Sequence, residues 1–227
     1  MSLISAFGAR LAEREAMVAR TIEARGVSDA ATCGALRRVP RHAFVDPERQ
    51  AQAYDDCPLP IGHGQTISQP YVVAYMTAAL QLTGGECVLE VGTGCGYQTA
   101  VLAELAARVC SLEIIGELAH VATARLAQLG YGNVEVHTGD GYHGWPAAAP
   151  YDAILVAAAA PCLPVPLLAQ LRDGGRLVIP VGESVQDLMV ITRCGDSFCE
   201  HRSLAVSFVP MTGRVRQLPA DSRAGGG

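Results

Sequence analysis

A short apolar run, Cys87-Val-Leu-Glu-Val91, leads directly into glycines at 92, 94 and 96. From Tyr97 the pattern turns to helix period, with Val101, Leu102 and Leu105 on one face. Strand, glycine turn and helix in that order let bare backbone N–H groups approach a ligand at a helix N-terminus. At the carboxyl end of a parallel strand in an open α/β sheet, such a turn binds nucleotides. The spacing narrows the chemistry. A dinucleotide turn needs G-x-G-x-x-G, and the third position counted from Gly92 is Tyr97. A phosphate loop needs Gly-Lys-Ser/Thr, yet all 17 basic residues here are arginine. What remains is Glu90-x-Gly92-x-Gly94-x-Gly96, followed 17 residues after Gly96 by Glu113 at the end of the apolar strand 108–113. A carboxylate at that place can accept both ribose hydroxyls.

A second stretch with chemical potential runs from Tyr54 to Gln69. It is polar and turn-rich, with Leu59, Ile61 and Ile67 as apolar anchors, and a loop of that length is usually functional. Ser68 ahead of Pro70 predicts a helix over 69–82 with the serine as its cap. The same hydroxyl, at a helix N-terminus, is also placed to bind a carboxylate. No G-x-S-x-G elbow and no assignable His–Asp pair surrounds Ser68, which therefore reads as a hydrogen-bond donor and not a nucleophile. His63 could be offered as a base, but ordering the loop is the simpler role.

Composition excludes several classes. A net charge of −5 leaves no basic stripe for nucleic acid, so none is expected as a partner. No apolar stretch reaches membrane-spanning length, and the N-terminus lacks the apolar segment of a signal peptide, which together predict a cytoplasmic protein. The 8 cysteines form no C-x-x-C pair and several fall inside strands, so buried reduced thiols are expected. The 6 histidines lack metal-ligand spacing, and no metal is expected. Without lysine there is no Schiff-base chemistry.

The elements that must position these residues alternate. Residues 3–25 carry apolar positions at helical spacing with a charged face read as solvated, and Gly26 is the stop. Ser28-Asp29 caps a short helix to Arg38, and the prolines of 39–47 predict a loop. After Glu113 come helix 116–129, strand 134–138, strand 153–158, helix 164–171 and strand 176–181. Segments 187–193 and 198–209 read as an antiparallel hairpin about Gly195-Asp196. The alternation predicts an α/β fold: a doubly wound, mostly parallel sheet with helices on both faces, an N-terminal helical extension and a C-terminal antiparallel hairpin. At 227 residues, half of them apolar, one domain is expected over 1–217. Residues 1–70 would form the extension and 71–217 the cofactor-binding core, with a disordered tail over 218–227 and a monomeric state.

With these segments in place, the chain resembles the protein-L-isoaspartate O-methyltransferases over roughly residues 15–217. The likeness is carried by Arg38-Val-Pro-Arg41, Leu59-Pro-Ile-Gly-His-Gly-Gln-Thr-Ile-Ser-Gln-Pro70, Val88 to Gln98, Gly139-Asp-Gly141, Ala158-Ala-Ala-Pro161 and Gly174 to Gly182. The Gly-Gln-Thr-Ile-Ser-Gln-Pro segment is specific to that family; the glycine turn is shared by methyltransferases generally. The resemblance implies a Rossmann-like core, S-adenosylmethionine as cofactor, and methylation of the α-carboxylate freed when aspartyl or asparaginyl residues isomerise. Damaged proteins and peptides would be the partners, and the ester would cyclise to a succinimide. It further implies Ser68 as the active-site residue. Thr66, Ile67, Gln69, Glu90, Gly92, Thr93, Gly94, Gly96, Glu113, Asp140 and Gly141 would contact the cofactor. Thr212 and Gln217 have the spacing of a Thr–Gln pair that reaches it in some members. Cys95 in place of the usual serine and Ala157 in place of Thr or Gly are small departures. A relative dedicated to one peptide, a non-catalytic cofactor-binding module and, more remotely, a nicotinamide dehydrogenase stay open at this point.

Overall fold

The computed structural model describes residues 3–218; the tail expected over 218–227 lies, beyond its first residue, outside the described residues. Seven strands form one sheet in the order β5-β4-β3-β6-β7-β8-β9. They are β3 (Cys87–Val91), β4 (Arg108–Glu113), β5 (Val134–Thr138), β6 (Tyr151–Val156), β7 (Leu171–Val181), β8 (Gln186–Cys194) and β9 (Ser197–Val206). Pairing is parallel from β5 through β7 and antiparallel for β7–β8 and β8–β9. The order reverses at β3, with β4 on one side and β6 on the other, and this switch point opens a crevice at the strands' carboxyl ends.

Alternate residues of each strand serve two apolar layers, as the period of two requires. Val88, Val109, Leu155 and Val178 pack with Met76 and Leu80 of α3 (Pro70–Leu80) and Leu102 of α4 (Tyr97–Ala103). Leu89, Cys110, Ile154 and Leu177 face the other way, against Leu167 of α6 (Val165–Ala169) and the late residues Met211 and Val215. Between β4 and β5 runs α5 (Gly116–Gln128), which stops before Gly130.

Several expectations need correction. The helix expected over 3–25 is broken into a 3-10 turn (Leu3–Gly8), α1 (Leu11–Met17), a π-helical turn (Val18–Ile22) and a second 3-10 turn (Glu23–Arg25). The first break falls at Arg10, whose φ is 54°; the stop at Gly26 stands, with φ 94°. The charged face is not simply solvated either. Arg14 is 1% exposed. Its guanidinium donates to the Arg37 and Arg38 carbonyls at the end of α2 (Ala30–Arg38) and to those of Phe7 and Ala9. One buried cation thereby satisfies carbonyls left unpaired at two helix ends. The cap of α2 is Asp29, accepting from Thr32 N at 2.8 Å. The loop of 54–69 contains an unforeseen hairpin, β1 (Leu59–Gly62) and β2 (Gln65–Ile67), closed by His63 and Gly64 with φ of 52° and 71°. A two-residue turn with both φ positive matches the twist of the flanking strands. The thiols are not uniformly buried: Cys194 and Cys199 are exposed, with sulfurs 3.2 Å apart across the β8–β9 turn.

Candidate active site

The extension reaches the start of α4 through Arg41, which is fully buried with no carboxylate partner among the described residues. Its Nε donates to the Ala53 carbonyl at 2.8 Å, and its guanidinium lies 4.9 Å from the centre of the Tyr97 ring. Phe44 meets the same ring edge-on at 5.5 Å. Tyr97 opens α4 directly after the glycine turn, so these contacts set the extension against the crevice. Burial pushes the Tyr97 hydroxyl up to about 12.

Two cavities meet there. The first, about 320 Å³, is walled by the glycine turn (Gly92, Thr93, Gly94), by Glu113, by Gly141 and by the Thr66-Ile67-Ser68 end of β2. The second, about 460 Å³, lies among Arg25, Gln69, Tyr71 and the end of β9 through Val209. Thr66, Ser68, Ala157 and Val209 line both. Ser68 thus stands in the partition between the chambers.

The turn is shaped for close approach. Gly94 has φ 54°, and a Cβ there would come within 3.2 Å of Ile61 on β1. A Cβ on Gly141 would come within 2.2 Å of Val91, so only glycine lets that backbone reach the cavity wall. Glu113 is nearly buried; Oε2 accepts from Gly94 N at 2.8 Å and Oε1 from Ile115 N at 3.0 Å. Both oxygens are therefore fixed in direction, with further lone pairs to offer a ligand. Leu112, Ile114 and Ile115 add apolar surface beside this carboxylate.

Glu90 does not face the cavity; it lies fully buried beneath the turn. Its Oε2 accepts from Thr99 at 2.5 Å and from Ser111 at 2.6 Å, and Ser111 in turn contacts the Thr93 hydroxyl at 2.5 Å. Its Oε1 has no partner among the described residues. Burial pushes this carboxyl up to about 8, against the lowering effect of the two hydroxyls. The inward direction follows from strand alternation: the residue before Val91 falls on the opposite face of β3.

Other expected residues also sit elsewhere. Gly96 is the backbone cap of α4, packed on Leu126. Asp140 has its carboxylate occupied by Tyr142 N at 3.0 Å and Arg214 N at 2.6 Å, so it ties the C-terminal segment to the end of β5. Thr212 reaches the first cavity, whereas Gln217 is exposed and does not line it. The cap of α3 is Gln69, and no side chain caps that helix, which leaves the Ser68 hydroxyl unspent on the role the sequence suggested. Gln69 borders the second cavity, and its amide donates to Asp56 at 2.7 Å. Asp56 also accepts from Arg25 at 2.7 Å and from Tyr71 N at 3.1 Å, fastening the chain directly after Ser68.

Sequence reasoning missed Asp56, Arg25 and, apart from Thr212, the Val209–Thr212 segment. The last arrives because Ala159 N donates to the Val209 carbonyl at 2.9 Å and Met211 N to that of Ala159 at 2.7 Å. The signals for it were Thr212 itself and the Ala158–Pro161 motif, which lies on the opposite side of that pairing.

Comparison with known proteins places this geometry. A family model described as protein-L-isoaspartate(D-aspartate) O-methyltransferase matches residues 12–216. A protein-L-isoaspartate O-methyltransferase of Opitutus terrae is 54% identical over 90% of this chain and 88% of its own length. One from Rhodopseudomonas palustris is 57% identical over 89% of this chain and 84% of its own. Among solved structures, a protein-L-isoaspartate O-methyltransferase superposes with TM-score 0.81 at 28% identity, covering 89% of this chain and 67% of that one. A Plasmodium falciparum protein described as a putative member, in complex with S-adenosyl-L-homocysteine, gives TM-score 0.78 at 25% identity over 88% and 98%.

Proposed function

Because this chain belongs to the protein-L-isoaspartate(D-aspartate) O-methyltransferase family, we propose a division of labour around Ser68 for the reaction it catalyses. That reaction transfers a methyl group from S-adenosylmethionine to the free α-carboxylate of an L-isoaspartyl residue. The observation that carries the assignment is the position of Ser68 in the wall shared by the two cavities.

The first cavity fits the cofactor. Its glycine turn admits a ligand against the backbone, Glu113 offers a fixed carboxylate to the ribose hydroxyls, and Leu112, Ile114 and Ile115 offer apolar surface to the base. When bound, S-adenosylmethionine supplies an electrophilic methyl group on a positively charged sulfur. In the second cavity the acceptor carboxylate, with an ordinary pKa of about 4, is already an anion at neutral pH and needs no general base. Ser68 donates a hydrogen bond to one of its oxygens and so orients the other towards the first chamber. Asp56 holds Ser68 in place by tying Gln69 and Tyr71. Catalysis is then mainly positioning. The product ester closes to a succinimide, which reopens in part to normal aspartate.

Residues 1–217 act in this reading as one catalytic unit, supported by a shared apolar cluster in which Leu36 and Phe44 of the extension join Val73, Tyr97 and Val101 of the core. A cytoplasmic monomer is supported by 8 free cysteines and by exposed large apolar residues scattered singly. No described helix is long and apolar enough to cross a membrane.

Labelled cofactor offered with matched isoaspartyl and aspartyl peptides tests the assignment. Label should enter the isoaspartyl peptide alone. In Ser68→Ala the rate should fall by about ten- to a few hundredfold, the loss of one hydrogen bond to an anion, with cofactor affinity nearly unchanged. An undiminished rate would remove Ser68 from the mechanism, and a peptidyl-enzyme adduct by mass spectrometry would replace the mechanism itself. Failure on every generic isoaspartyl peptide would point to one dedicated substrate.

A further inference from the structure

We propose that Cys110, Glu135 and His137 form a binding site for one divalent metal ion of borderline softness, zinc in the first instance. The three come from adjacent strands. Glu135 and His137 are two apart on β5 and share a face, and Cys110 on β4 stands directly opposite Glu135 in the parallel register. One ligand atom from each lies within 4.8 Å of the others. None of the three lines either cavity, so the site is distinct from the methyl-transfer centre.

The second observation is an orphaned atom. His137 Nε2 is buried and makes no hydrogen bond among the described residues; the nearby Glu135 Oε2 is 3.7 Å away. A buried ring nitrogen without a partner is costly, and a metal ion would satisfy it. The ring is held in place by Trp145, stacked on it at 4.1 Å and 15°. Thiolate, imidazole and carboxylate together are the donor set of zinc, and three protein ligands leave a fourth position for water. Zinc–ligand bonds of about 2.0–2.3 Å in a tetrahedron place ligand atoms about 3.3–3.8 Å apart, so the side chains must close by roughly an ångström. Glu135 can supply that movement because it is half exposed. It is now held by Arg108, whose Nη2 reaches its two oxygens at 2.9 and 3.1 Å. Arg108 is therefore a built-in competitor for the ion. On binding, the Cys110 sulfur exchanges its proton for the metal, and the proton leaves to solvent.

The chain has a single tryptophan, and it lies against the proposed ligand. Cobalt(II) titrated into the full-length reduced protein should quench Trp145 fluorescence and give near-ultraviolet thiolate-to-cobalt absorption, both reversed by zinc. His137→Gln should weaken binding on the order of a hundredfold and Glu135→Gln about tenfold, while Arg108→Ala should tighten it. Cys110→Ser should abolish the thiolate band; if it does not fold, as judged by circular dichroism, the two β5 variants decide. Cys194→Ser with Cys199→Ser should change nothing. No signal at millimolar cobalt would overturn the site. So would a signal that survives in His137→Gln or disappears with the exposed cysteine pair.

Discussion

The two walls of the active site are built on different principles. The cofactor wall hangs from the carboxyl ends of β3, β4 and β6, and what steadies it is buried: the Thr93–Ser111–Glu90–Thr99 chain beneath the turn and the sheet register itself. The substrate wall is the β1–β2 hairpin with its exit to α3, held by polar ties that solvent partly reaches. Asp56 is its hub, and Arg25 lies 3.6 Å over the Tyr71 ring beside it. Damage to the first wall should be abrupt, because a buried turn has no alternative arrangement. Damage to the second should be graded, because partly exposed ion pairs and hydrogen bonds are individually modest.

The sharpest break of that contrast is Gly94→Val. A branched residue at φ 54°, with Ile61 only 3.2 Å from the new Cβ, strains the turn and fills the approach to it. Calorimetric binding of S-adenosylhomocysteine should drop below detection while the circular dichroism spectrum stays native. Retained binding in the folded variant would move the cofactor off this turn.

Glu90→Gln tests the buried network by pH. With its folded value raised to about 8 from 4.5, Glu90 keeps its proton in the folded protein while the unfolded chain loses it. The unfolded state binds fewer protons between those values, so this group makes stability fall as pH rises from about 4.5 to about 8, and level off above. The glutamine variant should lack this decline and be more stable than the parent by roughly 3–5 kcal/mol above pH 8. Parallel urea-denaturation profiles from pH 5 to 9 would contradict the protonated state.

Glu113→Ala removes charge-assisted hydrogen bonds of roughly 1.5–3 kcal/mol, so cofactor affinity should fall about ten- to a hundredfold. An affinity within about twofold of the parent would leave Glu113 only its tie to the turn. The smallest effect belongs to the other wall. Asp56→Asn keeps an acceptor but loses the charge facing Arg25, and should raise the peptide KM about three- to tenfold with cofactor affinity intact. A matching loss of cofactor affinity would mean that the two walls are not separable.

The cofactor wall was legible because its signals are local. Cys87–Val91 and Arg108–Glu113 were bounded correctly from apolar runs ended by glycine or charge, and 134–138 likewise. The substrate wall was legible only as a motif. Its hairpin turn needed His63 in a left-handed conformation, which residue preference does not announce, and Ser68 was assigned to a cap that the backbone places one residue later. Arg14 read as part of a solvated face and Arg41 only as part of a loop motif, because nothing in a sequence marks which arginine will meet unpaired carbonyls in the interior.

By itself, then, the sequence determined the alternation of strands and helices, the glycine spacing that excludes dinucleotide and phosphate loops, and the position of Glu113 after the turn. Each of these depends on residues within one or two elements of each other, where steric and hydrophobic periodicity act directly. Only the tertiary structure decided that residues 209–212 complete the cavity rim, that Asp56 fastens Ser68, and that Cys110 meets His137. Those outcomes rest on strand order, cross-strand register and loop packing, which bring together residues whose separation along the chain carries no trace of their contact.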